Sequence, residues 1–226
     1  MGPEMKEVGS KMGVYVVPLT LPVSLEPKRG QLEQTLLDAQ KRIVEFAGQH
    51  GWGDLVIESF FDRAEIFDTK EDFDSALRDI AQLPVSTVFP KTYSAVLECR
   101  VLMAVSPELY AENYPEGIEE NSYEKLLAHE IAHRLHVRIL EGNEKAMGPI
   151  WFFEGFAIYA AEQFKEFTYE PTKTEIQEIL RSSERRSYRN YGGVFRFFAK
   201  KVAVREMILH AAKEDFQGWL LNLISS

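Results

Sequence analysis

Leu126-Leu127-Ala128-His129-Glu130-Ile131-Ala132-His133-Arg134-Leu135-His136 carries two histidines four residues apart, with a glutamate directly after the first. Leu127, Ile131 and Leu135 recur at i, i+4 and i+8, the spacing of one apolar helix stripe, so the segment is predicted to be a helix. Asn121 with Glu124 gives a capping-box pattern at its start, and Gly142-Asn143 a stop at its end. On such a helix His129 and His133 lie one turn apart on one face, so both imidazoles can reach one Zn²⁺ at about 2.0–2.1 Å. Glu130, turned by about 100° from His129, can reach a water beside the ion without ligating it. Alone, the pattern is short and describes two histidines on a helix surface equally well.

A catalytic zinc site needs a third protein ligand and an open position. The metzincin pattern would place Gly at 136 and His at 139, where this chain has His136 and Ile139. His136 lies about 60° round the helix from His133, which predicts a supporting or surface role for it rather than ligation. Glu154 is the better third ligand. It stands in Pro149-Ile150-Trp151-Phe152-Phe153-Glu154-Gly155-Phe156-Ala157-Ile158-Tyr159, where Pro149 suits a first helical turn and the aromatic and aliphatic flanks mark burial. A carboxylate inside such a helix is costly unless it is paired, hydrogen-bonded or bound to metal.

Together, His129-Glu-x-x-His133, a gap of 20 residues from Arg134 to Phe153, and Trp-x-x-Glu154-Gly-Phe-Ala-x-Tyr159 resemble the gluzincin (peptidase MA-like) zinc metallopeptidases. The second block is especially similar to the aminopeptidase N branch, and the resemblance runs from about Asn121 to Lys200. It implies one Zn²⁺ held by His129, His133 and Glu154, with Glu130 as general base. It also implies a downstream tyrosine that donates to the oxyanion. Tyr191, in Asn190-Tyr191-Gly192-Gly193-Val194-Phe195, is the best match; Tyr188 is the second, and a plain core tyrosine is an equal alternative to either. Three departures stand out. There is no Gly-Ala-Met-Glu-Asn motif, so exopeptidase action is not implied; Ile158 occupies the position where the thermolysin branch has an Asp that orients a histidine; and the chain is much shorter than the aminopeptidases.

The fold so implied is α+β, a single gluzincin-like domain over 1–226. Residues 1–120 are expected to form a mixed α/β lobe with a small sheet, and 121–226 a zinc-binding helical lobe. The implied reaction is hydrolysis of peptide or protein substrates by a zinc-activated water, with the edge of a strand near Ser94–Ala104 aligning the substrate. Two alternatives stay open: a catalytically silent metal-binding interaction domain with the same fold, and a zinc hydrolase acting on a non-peptide substrate.

Upstream, strands are expected over Val14–Leu21, Leu55–Phe61, Ser86–Phe89 and Ser94–Ala104, and helices over Gln31–Phe46 and Asp72–Ile80. After Ser106-Pro107 only helical segments are expected.

Composition narrows the remaining classes. The net charge of −9 and pI near 5.2 disfavour nucleic acid and anionic lipid as partners. The run Arg181, Arg185, Arg186, Arg189 is interrupted by Glu184 and reads as a solvated helix face. Cys99 is the only cysteine, so no intrachain disulfide or thiolate zinc site can form, and its strand-like setting predicts a packed residue. Met1 to Lys6 shows no apolar signal core, and no stretch approaches the roughly 18 apolar residues of a membrane span, so a cytoplasmic location is expected. No serine-hydrolase elbow, phosphate loop or dinucleotide fingerprint occurs.

Overall fold

The stripe Leu32, Leu36, Ile43 and Phe46 becomes the buried face of a helix, α1 (Arg29–Gln49), in a computed structural model that describes residues 13–167, 169–182 and 187–225. The chain is α+β, with all four strands before residue 106 and only helices after it among the described residues. The helices that follow are α2 (Lys70–Ile80), α3 (Pro107–Asn113), α4 (Ser122–Ile139), α5 (Ile150–Ala160), α6 (Lys173–Arg181), α7 (Tyr188–Ala199), α8 (Val204–His210) and α9 (Phe216–Ser225). Buried apolar residues from Val17 to Ile224 form one continuous cluster. No helix among the described residues is long and apolar enough to cross a membrane. Met1 to Lys6, Arg185 and Arg186 lie outside the described residues. Arg181 closes α6, whereas Arg189 sits in the first turn of α7 over the rings of Phe164 and Phe167, so the basic run is not one solvated helix face.

The sheet has the order β1-β2-β4-β3, with β1 (Leu19–Thr20), β2 (Arg63–Phe67), β3 (Ala95–Glu98) and β4 (Val101–Val105). β1, β2 and β4 run parallel and β3 pairs antiparallel to β4. Every residue of β4 is buried, as an inner strand of apolar residues should be, and β3 is left as an edge. β1 is the other edge, as Pro18 predicts, though it is much shorter than Val14–Leu21.

Three strand expectations change. Ser94–Ala104 is a hairpin rather than one strand: Cys99 and Arg100 form its two-residue turn with φ of 46° and 61°, the handedness that matches strand twist. Arg100 is tied there to Asp62 at 2.6 Å, and Cys99 is exposed at the tip instead of packed. Leu55–Phe61 is not a strand. Its carbonyls at Leu55, Glu58 and Ser59 accept from the Arg138 guanidinium at 2.7, 2.8 and 2.8 Å, so a side chain of α4 satisfies backbone groups that a ladder would otherwise pair. The true strand, β2, follows it and alternates buried Ala64 and Ile66 with outward Arg63 and Glu65. Ser86–Phe89 is a loop in which Val88 is 89% exposed.

α4 lies at the centre, packed by α1, α5 and β3, and α5 is covered on its far side by α7. Asn121 has φ 56° and makes no side-chain cap, because a left-handed residue cannot direct its amide at the first-turn N–H groups, so the predicted capping box is absent. The start of α4 is held instead by Lys125, paired with Glu119 at 3.0 Å, and by Glu124, paired with Arg42 of α1 at 2.8 Å.

Candidate metal centre

α4 presents His129 and His133 one turn apart with rings nearly perpendicular, and their Nε2 atoms stand 3.0 Å from each other. α5 packs across that face and brings the Glu154 carboxylate to them, Oε2 lying 3.1 Å from His129 Nε2 and 3.5 Å from His133 Nε2. The three donor atoms lie within 4.8 Å of one another, and His129 and Glu154 are buried. Donors set tetrahedrally around an ion at about 2.0–2.1 Å lie roughly 3.3 Å apart, which the observed separations bracket. Two imidazole nitrogens and a carboxylate so close also require a proton or a cation between them. The residues fit a zinc ion, with two nitrogens and one oxygen from the chain and the remaining side facing a cleft.

Electrostatics agree. Burial alone would raise the Glu154 carboxyl, but hydrogen bonds and charge from His129 and His133 outweigh it and hold the group well below the usual carboxylate range. Burial opposes the charged His129 ring, yet Glu154 and Glu130 raise its pKa overall. The pocket thus favours positive charge at the point where the three donors meet.

Glu130 is partly exposed on the same helix and lines the cleft, but its carboxylate is not among the converging donors. The cleft, about 460 Å³, also runs along Val96, Leu97 and Glu98 of the edge strand β3. Tyr188 lines it, with its hydroxyl 3.4 Å from Glu154 Oε1. Tyr191 does not line it. That residue is 2% exposed inside the contact of α7 with α5, where the neighbouring glycines serve close packing: a Cβ on Gly192 would meet Ile158 Cγ2 at 2.6 Å, and one on Gly155 would meet the Tyr191 carbonyl at 3.0 Å. Tyr-Gly-Gly therefore marks a helix crossing, and three residues earlier Tyr188 faces the cleft.

The sequence gives no sign of Gln163, whose Oε1 lies 2.8 Å from His129 Nδ1. No periodicity or motif marks it, because it follows the end of α5.

His136 is fully buried beside Phe152 and Phe156, and neither ring nitrogen has a hydrogen-bond partner among the described residues. It is a core residue and not a surface one. Burial, helped by charge at His133, pushes its pKa down from 6.5 to about 3. A folded pKa below the unfolded one gives stability that is complete above pH 6.5 and is lost as pH falls through about 3. Between pH 6.5 and 4.5 the loss is about 2–3 kcal/mol. In urea unfolding of the metal-free protein, the fall in stability between the two pH values should be larger in the wild type than in His136→Leu by about this amount. Equal pH dependence in both proteins would mean that the ring is charged or solvated in the fold.

The chain matches no protein-family model, no curated protein and no solved structure, so the chemistry of the site rests on its own residues.

Proposed function

We propose that this chain is a zinc-dependent peptidase of the gluzincin kind. The observation that carries the reading is the convergence of His129, His133 and Glu154 on one point beside Glu130, at the wall of a cleft bordered by the edge strand β3. When bound, zinc supplies Lewis acidity, which polarises a carbonyl and makes water nucleophilic near neutral pH.

The chain's own groups account for the rest. β3, with its outer edge unpaired in the sheet, offers main-chain donors and acceptors to an extended peptide. Glu130 takes the proton of the attacking water and delivers it to the leaving amine, so no covalent intermediate forms. Tyr188 donates its hydroxyl hydrogen to the carbonyl oxygen as negative charge develops there. Beside Glu130 a smaller pocket is walled by Tyr93, Tyr110, Tyr114, Leu126 and Phe164, and Glu130 is the one charged side chain among its described lining residues, which suits an uncharged substrate side chain.

Zinc-loaded protein is expected to cleave a mixed peptide library, with products read by mass spectrometry. A chelator should stop cleavage and added zinc restore it. Tyr188→Phe should lower kcat by about 10²–10³ with little change in KM, while Tyr191→Phe should leave kcat near wild type. Bound zinc without cleavage of any peptide would refute the peptidase reading and favour a silent metal-binding domain or a non-peptide substrate.

A further inference from the structure

The segment leaving α5 does more than end a helix. Glu162 has φ 56°, and the chain turns with Glu162 N–H bonded to Tyr159 O at 3.2 Å and Gln163 N–H to Ile158 O at 3.0 Å. That is the bonding of a Schellman motif, whose left-handed position is ordinarily a glycine. Here a glutamate takes it, and Phe164 is left-handed as well, with φ 54°. Two residues with side chains flank Gln163 in a conformation they disfavour, so the surroundings must hold them there.

Three anchors do so. The Glu162 carboxylate pairs with Arg42 of α1 at 2.8 Å, and the same arginine pairs with Glu124 of α4. The Phe164 N–H donates to Glu119 Oε1 at 2.8 Å, and the other oxygen of Glu119 pairs with Lys125 of α4. Arg196 of α7 donates to the Gln163 carbonyl at 3.3 Å. Between these anchors the Gln163 side chain, in a residue only 7% exposed, turns back to His129 Nδ1.

We propose that the 161–164 turn is a positioning device for the metal centre: Gln163 Oε1 accepts from His129 Nδ1–H, so that the Nε2 lone pair of His129 points at the site shared with His133 and Glu154. This rests on the metal-binding reading above. A ligating histidine ordinarily gives its other N–H to a carboxylate, a main-chain carbonyl or water. Here a neutral amide takes that place, while Ile158, five residues earlier in the last turn of α5, is fully buried and apolar. The amide fixes the ring without adding negative charge, which leaves the centre more electrophilic than a carboxylate would. Gln163 is thus a positioning residue that acts through His129.

The test measures zinc itself, by competition with a chromophoric chelator, and the absorption bands of the cobalt-substituted protein. Gln163→Leu should weaken zinc binding by about 10–100-fold and change the cobalt spectrum, whereas Gln163→Glu, which can accept the same hydrogen bond, should bind zinc at least as tightly as wild type. Zinc affinity in Gln163→Leu within about twofold of wild type, with His129→Ala unable to bind, would overturn the positioning role and leave the metal reading intact. Equal weakening in both Gln163 variants would also overturn it, since loss of packing alone then explains the effect. Should Gln163→Leu fail to fold, judged by circular dichroism, weaker binding by Gln163→Glu than by wild type overturns the proposal and equal or tighter binding supports it. Absence of zinc binding by the wild-type protein would remove the metal reading itself, and this inference with it.

Discussion

Glu130→Gln is expected to yield a protein that folds and binds zinc as the wild type does but hydrolyses peptides about 10²–10⁴-fold more slowly. Glu130 lies on α4 next to His129, yet its carboxylate is outside the three converging donors and lines the cleft. The amide matches the acid in size and in hydrogen-bonding reach but cannot take a proton at neutral pH. Metal content therefore stays constant while the rate falls, and that contrast distinguishes a proton-transfer group from a ligand. Elemental analysis alongside kcat decides the matter. Unchanged turnover in zinc-replete Glu130→Gln protein excludes the carboxylate as base, and loss of zinc would make it part of the metal site.

The parts of the fold that the sequence makes legible are those with a strong local period. α1, α2 and α4 each announce themselves by apolar residues at helical spacing; α1 and α2 extend a few residues beyond the expected spans, and α4 lies within the limits set by Asn121 and Gly142. The sheet is harder to read because what decides it is not local. Leu55–Phe61 has the composition of a strand, but it begins in a 3-10 turn and three of its carbonyls accept from Arg138, about 80 residues later, instead of from a neighbouring strand. The β3–β4 turn carries Cys99 and Arg100 where glycine or asparagine would have signalled it, so the pairing with Asp62 does work that the turn residues do not.

At the site, the three converging donors are legible because helices are rulers. Spacing along α4 sets the separation of His129 and His133, and a buried carboxylate in an otherwise apolar helix is an anomaly that needs a partner. Tyr188 and Tyr191 differ by less than one turn, and only the packing of α7 on α5 decides which of them faces the cleft. Gln163 is invisible to pattern reading because its reach depends on left-handed backbone at Glu162 and Phe164, which neither residue type predicts.

Glu154→Ala should abolish stoichiometric zinc binding. Among the described residues three donors converge, so the substitution removes a third of that set and its sole negative charge, leaving two neutral imidazoles on one helix face. The loss should exceed the 10–100-fold that removal of an outer partner typically costs, and bound metal should fall from about one per chain to near zero after dialysis. Glu154→Gln is the control for folding, because it keeps the shape of a residue that is 4% exposed in the middle of α5 while removing the charge. It too should bind weakly, since an amide oxygen is a poorer donor than a carboxylate. Circular dichroism of both variants at neutral pH separates lost metal from lost fold. A full complement of zinc in folded Glu154→Ala protein would show that the ion has another third ligand, and the assignment of α5 as a ligand helix would fall.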